Sequence, residues 1–257
     1  MSITIKPIPS LTDNYIWLFI NTLKSTAVIV DPGTSAGCEN FFEQEKIRPV
    51  AILVTHRHWD HVNGIEQLVK KYEIPVYGPA TEVIPCLTTP LTENERISIP
   101  ESGLDLQVMD IGGHTAGHIG YLTGNKLFCG DTLFSAGCGR LLGGTAAQLH
   151  ASLNRISQLP DDTVIYCTHE YTLDNLRFAQ AVEPDNPDIQ SRIDEVKALR
   201  ANNLPSLPVT LEMEKRYNPF LRTSKKSVMQ AVAKHSGQQI KNSEDCFRYL
   251  RMWKDGF

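Results

Sequence analysis

The sequence predicts a layered α/β protein over residues 1–172, followed by a small helical part over residues 173–257. Three observations predict it. Apolar runs in the first two-thirds are short, each about one strand long, with turn residues between them. Helical stretches lie among those runs, which points to stacked layers of sheet and helix. After Thr172 the β-branched runs give out and helical spacing takes over.

Taken in order, the strand-like runs are "YIWLFI", "AVIV", "AILVT", "PVYG", "LDLQVMDIGG", "IGYLTG", "KLFCGD" and "TVIYCTH". Continuous apolar runs of this kind mark sheets buried on both faces. Turns are read at "DPGTSAG", "IPESG", "TGN" and "LPDD". Helices are read at "CENFFEQEKI" and "GIEQLVKKYE", and later at "LDNLRFAQAV", "IQSRIDEVKALRANN" and "SKKSVMQAVAKHS". Two proline-bearing stretches, Glu183–Asp188 and Leu204–Val209, break the later helices. There is no internal repeat and no low-complexity segment.

A chain of 257 residues with 41% hydrophobic content can bury one large core, or a large and a small one. No apolar run approaches the ~20 residues of a membrane span, and the N-terminus lacks the layout of a signal peptide. The expected setting is therefore cytoplasmic, with no membrane partner. The six cysteines are scattered without a CxxC pair and read as reduced thiols. The net charge of −4 is unevenly spread. Residues 1–172 carry 11 Lys+Arg against 18 Asp+Glu, and residues 173–257 carry 14 against 11. A mildly basic end suits a small anionic ligand and is too weak for nucleic acid.

The stretch "VTHRHWDHVNG" holds three of the eight histidines and an aspartate within six positions. "AILVT" delivers His56, His58, Asp60 and His61 at the end of a buried strand, where a rigid sheet can position them. Alternation along an extended backbone points His56 and His58 to one side. Three more metal-capable residues follow apolar runs in the same way: His114 after "LQVMDI", Asp131 after "KLFC" and His169 after "VIYC". If those strands share a sheet, their ends converge. Imidazole and carboxylate suit zinc, and also iron or manganese. Seven such ligands are too many for one small ion, so two are expected. His118, His150 and His235 are read as ordinary structural histidines.

The motifs "THRHWDH", "GGHTAGHIGY", "GDTLF" and "THEYT", in this order, resemble the metallo-β-lactamase superfamily. The resemblance implies an αββα sandwich, with the helical C-terminal part appended, and a two-metal site at one edge. It implies His56, His58 and His114 on the first metal, Asp60, His61 and His169 on the second, and Asp131 as the bridge. Asp60 and Asp131 would thus be the ligands that orient an activated hydroxide. Three further stretches, "DNYIWLF", "GDTLFSAGCGR" and "NPFLR", narrow the resemblance to the glyoxalase II branch and extend it over nearly the whole chain. That branch hydrolyses glutathione thioesters of 2-hydroxy acids. By the same resemblance Arg140, Tyr171, Arg222 and Lys225 bind glutathione, the last two gripping its glycine carboxylate. The partner is then a small molecule, and the chain is expected to act as a monomer.

Two departures stand out. Leu142 occupies a position where some members carry a tyrosine, which removes one neutral hydrogen bond worth ~0.5–1.5 kcal/mol. Gly113 stands where a proline or cysteine often precedes the histidine, a change expected to be harmless. Asp31, in "VIVDPG", and His118 are candidates for orienting the ligands. The rival readings are a lactonase, β-lactamase or RNA-processing nuclease on the same scaffold, a one-iron persulfide dioxygenase, or a non-catalytic scaffold. The full set of seven ligands counts against the last two, and the acidic body against the nuclease.

Overall fold

Along Asn14–Asn21 every residue is buried, with no polar face. The computed structural model, which describes residues 3–257, shows why. This strand, β2, is covered on both sides. It pairs with β1 (Ile3–Ser10) and β3 (Thr26–Val30), both antiparallel. The sheet then continues in parallel through β4 (Arg48–Leu53), β5 (Val76–Pro79) and β6 (Thr89–Leu91). Ile16, Leu18 and Ile20 of β2 face one way, into a cluster with Cys38 and Phe42 of α1 (Ala36–Glu45) and Ile65 and Leu68 of α3 (Ile65–Tyr72). Between these two helices lies the single turn α2 (Trp59–Val62). Phe19 faces the other way, its ring 4.4 Å from Phe128.

Phe128 belongs to an antiparallel meander of β7 (Arg96–Ile99), β8 (Leu104–Asp110), β9 (Ile119–Thr123) and β10 (Lys126–Gly130). The meander packs face to face on the first sheet. Tyr121 Oη donates to the Val54 carbonyl at 2.7 Å, and Asn21 Nδ2 to the Ser102 carbonyl at 2.8 Å. Two sheets with helices outside the first thus account for the expected layers. These ten strands and three helices form one compact unit, the chain up to Asp110 together with Gly117–Gly130.

The second unit comprises Ile111–Ala116 and Asp131–Phe257. It opens with a small hairpin, β11 (Leu133–Phe134) and β12 (Gly137–Cys138). There follow α4 (Ala146–Ser157), β13 (Val164–Cys167), α5 (Thr172–Val182) and α6 (Pro187–Ala201). β14 (Val209–Thr210) pairs antiparallel with β13 and is the only interruption of the helical tail. α7 (Leu211–Tyr217), a 3-10 turn (Pro219–Leu221), α8 (Lys226–Ser236) and α9 (Ser243–Asp255) complete it. Pro187 sits in the first turn of α6 behind Asn186, whose side chain accepts from the Asp188 amide. The core joins Leu176 and Ala179 of α5 with Ile189, Ile193 and Val196 of α6 and Tyr217. Buried Glu214 fastens the hairpin to α7: it accepts from Ser135 Oγ, the Ala136 amide, Tyr217 Oη and Asn218 Nδ2, all at 2.8–2.9 Å. Among the described residues no helix is long and apolar enough to cross a membrane.

Candidate metal and substrate site

In the first unit, four of the expected ligands follow the end of β4. His56 and His61 are fully buried. Their orientation is set by Asp31, which closes β3 in a left-handed conformation with φ 51°. Asp31 Oδ1 accepts from the Thr55 amide at 2.8 Å, and Oδ2 from Thr55 Oγ1 at 2.7 Å and from His61 Nδ1 at 3.1 Å. A hydroxyl has one hydrogen, and Thr55 gives it to Asp31. Its 3.1 Å contact with His56 Nδ1 must therefore be donated by the imidazole. Both rings thus carry their proton on Nδ1 and keep an Nε2 lone pair for a ligand.

His56 Nε2 lies 3.0 Å from His58 Nδ1. That is close to the ~3.3 Å which metal–nitrogen bonds of about 2.0–2.1 Å put between neighbours in a tetrahedral site. Asp60 Oδ2 is 3.6 Å from His61 Nε2 and accepts from Asn14 Nδ2 at 3.1 Å. Glu82 steadies the loop, taking the Arg57 amide at 2.6 Å and the Gly117 amide at 3.2 Å. Gly33 lets the turn after β3 come this close, since a Cβ there would lie 1.9 Å from the Asp60 carbonyl oxygen. His118 stacks on His56 at 4.6 Å.

In the second unit Asp131 Oδ2 lies 3.6 Å from His114 Nε2 and 3.3 Å from His169 Nε2. His114 Nδ1 donates to the Arg140 carbonyl at 2.8 Å, so here too Nε2 holds the lone pair. The Arg140 segment is clamped from α9, where Arg251 Nη1 donates to the Cys138 carbonyl at 3.0 Å. His169 stacks flat on Tyr171 at 4.7 Å, and Phe134 meets both rings edge-on. Gly113 is the residue that its backbone requires. Its φ is +141°, which no proline can adopt, and a Cβ would lie 2.4 Å from the Leu149 Cα of α4.

Of the residues expected to bind substrate, Arg140, Tyr171 and Lys225 are exposed, as is Leu142. Arg222 is partly buried and already engaged: Nε donates to Glu183 Oε2 at 2.7 Å, Nη2 to Glu183 Oε1 at 3.0 Å, and Nη1 to the Lys215 carbonyl at 3.2 Å. His150 bonds to Ser243 and His235 stacks on Trp253, as structural histidines would. The sequence reading passed over Asn14, Thr55, Glu82, Glu183 and Arg251. Asn14, Thr55 and Glu183 sit inside stretches it singled out, and the partnerships of Glu82, Glu183 and Arg251 span distances in sequence that leave no local signal.

The chemistry of these donors fits a divalent cation. Three imidazoles present Nε2 lone pairs fixed by an acceptor on Nδ1, and carboxylates stand beside them.

Residues 13–169 match the profile of the metallo-beta-lactamase superfamily, and residues 170–257 that of the hydroxyacylglutathione hydrolase C-terminus. The chain is similar to the hydroxyacylglutathione hydrolase of Nitrosomonas europaea, with 46% identity covering 99% of this chain and 97% of that one. The enzyme of the same name from Pseudomonas fluorescens is 47% identical, over 99% and 100%. Among solved structures, ETHE1 from Myxococcus xanthus superposes with a TM-score of 0.67 at 21% identity, each chain covered in full, and shows the fold alone. A protein crystallised in a di-iron-bound form gives a TM-score of 0.60 at 26% identity, over 84% of this chain and 100% of that one.

Proposed function

The chain belongs to the hydroxyacylglutathione hydrolase family, within the metallo-β-lactamase superfamily, and we propose that it cleaves S-(2-hydroxyacyl)glutathione to a 2-hydroxy acid and glutathione. The substrate proposed within that class is S-D-lactoylglutathione, giving D-lactate, the second step of methylglyoxal detoxification. One observation carries this reading: the likeness runs through both parts of the chain, including the C-terminal part that separates this family from other hydrolases of the fold.

Two divalent ions complete the proposed site, zinc in first place and iron or manganese as alternatives. His56, His58 and His114 would hold one ion, Asp60, His61 and His169 the other, and Asp131 would bridge them. In support, His56 Nε2 lies 3.0 Å from His58 Nδ1 and Asp60 Oδ2 3.6 Å from His61 Nε2 in the first unit, and Asp131 Oδ2 lies 3.6 Å from His114 Nε2 and 3.3 Å from His169 Nε2 in the second. When bound, the ions would lower the pKa of water to about 7 and act as a Lewis acid toward the thioester carbonyl.

The chain's own residues do the rest. Asp31 keeps the His61 ring in the ligand tautomer, Thr55 does so for His56, and the Arg140 carbonyl for His114. Asn14 holds Asp60, which with Asp131 would orient the attacking hydroxide. A thiol leaving group with a pKa near ~8.5 departs as thiolate, so the chain needs no dedicated acid. Arg140, Arg222 and Lys225 supply cationic contacts for the two glutathione carboxylates, and Tyr171 a hydrogen-bonding hydroxyl. The proposed setting is a reducing cytoplasm, with the chain working as a monomer on a small molecule. Among the described residues the six cysteines form no disulfide, and five of them are buried.

The test is hydrolysis of S-D-lactoylglutathione by metal-loaded protein, beside the Arg222→Ala variant. The expected result is turnover by the parent with about two metal ions per chain, and a raised KM in the variant. Two bound metals without turnover would move the reading to another ester, lactone or phosphodiester.

A further inference from the structure

Arg222 follows the 3-10 turn, and its side chain is 18% exposed against 4% for its partner Glu183. A guanidinium offers five N–H groups in a fixed plane. Glu183 takes one whole edge, Nε and Nη2, and the Lys215 carbonyl takes one N–H of Nη1. One N–H remains on each of Nη1 and Nη2. The side chain lines an open cavity of about 510 Å³, so a solute can reach it.

Glu183 is itself held. Its Oε1 also accepts from Ser227 Oγ at 2.7 Å, in the first turn of α8. The carboxylate therefore ties the end of α5 to the arginine and to α8. The residue that opens α8 is Lys225, whose amide donates to the Arg222 carbonyl at 2.8 Å. Burial alone would raise the Glu183 carboxyl, but the bonds from Arg222 and Ser227 prevail and hold it below the usual carboxylate range. It stays ionised and keeps its grip at neutral pH.

We propose that Glu183 is the positioning residue of the glutathione clamp: it fixes the plane of Arg222 so that the remaining N–H groups meet the glycine carboxylate of the substrate. This rests on the thioester-hydrolase reading above. An arginine left to rotate would lose side-chain entropy on binding, whereas one held along an edge has already lost it. The ion pair is electrically neutral, so the net positive charge drawing a second carboxylate comes from Lys225.

The test compares parent and Glu183→Gln on two thioesters, S-D-lactoylglutathione and the same lactoyl thioester of γ-glutamylcysteine, which lacks the glycine. Glutamine keeps the shape but offers one acceptor where the guanidinium edge needs two. The expected result is a KM for the glutathione ester raised about tenfold with kcat within about twofold, and a KM for the truncated ester unchanged. Ser227→Ala, which loosens Glu183 without touching the arginine, should raise the first KM about threefold and leave the second alone. It also serves if Glu183→Gln does not fold. Equal KM losses on both esters would mark a purely structural clamp and overturn the proposal. So would an unchanged or lowered KM on the glutathione ester, which would make Glu183 a competitor of the substrate. A parent that hydrolyses neither ester overturns the functional reading, and this role with it. A parent that discriminates between them while the variants match it overturns only the role of Glu183.

Discussion

Asp31 receives three hydrogen bonds on two oxygens, and one comes from the ring that is to ligate through its far nitrogen. An amide in its place would turn a donor toward another donor. Asp31→Asn should therefore weaken metal binding by about 10–100-fold, the usual cost of losing a partner that orients a ligand. Competition with a chelator of known affinity measures it, and unchanged affinity would show that His61 needs no such holder. A second expectation concerns the thiols. Burial pushes the Cys38 and Cys246 thiols up to about 12 and the Cys138 thiol to about 11, despite Arg251 beside the last. Cys86 alone is exposed. One equivalent of alkylating reagent at pH 8 should go to Cys86, and the three raised thiols should react only on unfolding. Mass spectrometry of the digest decides it; early labelling of Cys246 would show that α9 opens readily.

At the scale of the element, legibility depended on length and on what faces each side. β2, β3 and β4 were readable as doubly buried strands, because residues of alternate parity meet helices and the second sheet. β1 escaped notice: it alternates exposed and partly buried residues and carries Pro7 and Pro9, as an edge strand can. β11, β12 and β14 have two residues each, too short for any periodicity. α4 was missed although its signal was present, since Thr145 and Gln148 form a reciprocal capping box at its start. Thr145→Ala should cost about 1 kcal/mol, read from the urea midpoint, and no loss would mean that packing of Leu149, Leu153 and Ile156 alone fixes this helix. The expected ligands were readable for a local reason, because each follows a strand. The partnership of Glu183 with Arg222 spans 39 positions and could only be seen folded.

For the whole molecule the buried carboxylates pull stability in opposite directions with pH. The Glu183 carboxyl is held below its usual range, so its stabilisation is complete above the unfolded value of about 4.3 and is lost as pH falls through the folded value. Burial raises the Glu214 carboxyl despite four hydrogen-bond donors, so its contribution runs the other way and favours the fold at low pH. Comparing parent with Glu183→Gln isolates the first effect: the parent should lose more stability between pH 5 and pH 3, and parallel curves would show that the ion pair contributes nothing. The division of the chain has a further consequence. Every residue of the first unit precedes Asp131, and so does the hexapeptide Ile111–Ala116 of the second. During synthesis the N-terminal portion is delivered first. The ribosome thus synthesises all ten strands of the first unit, with His56, His58, Asp60 and His61, before Asp131 is added. His114 is translated early but packs with partners not yet made, since Asp131 and the Arg140 carbonyl beside it come later in the chain.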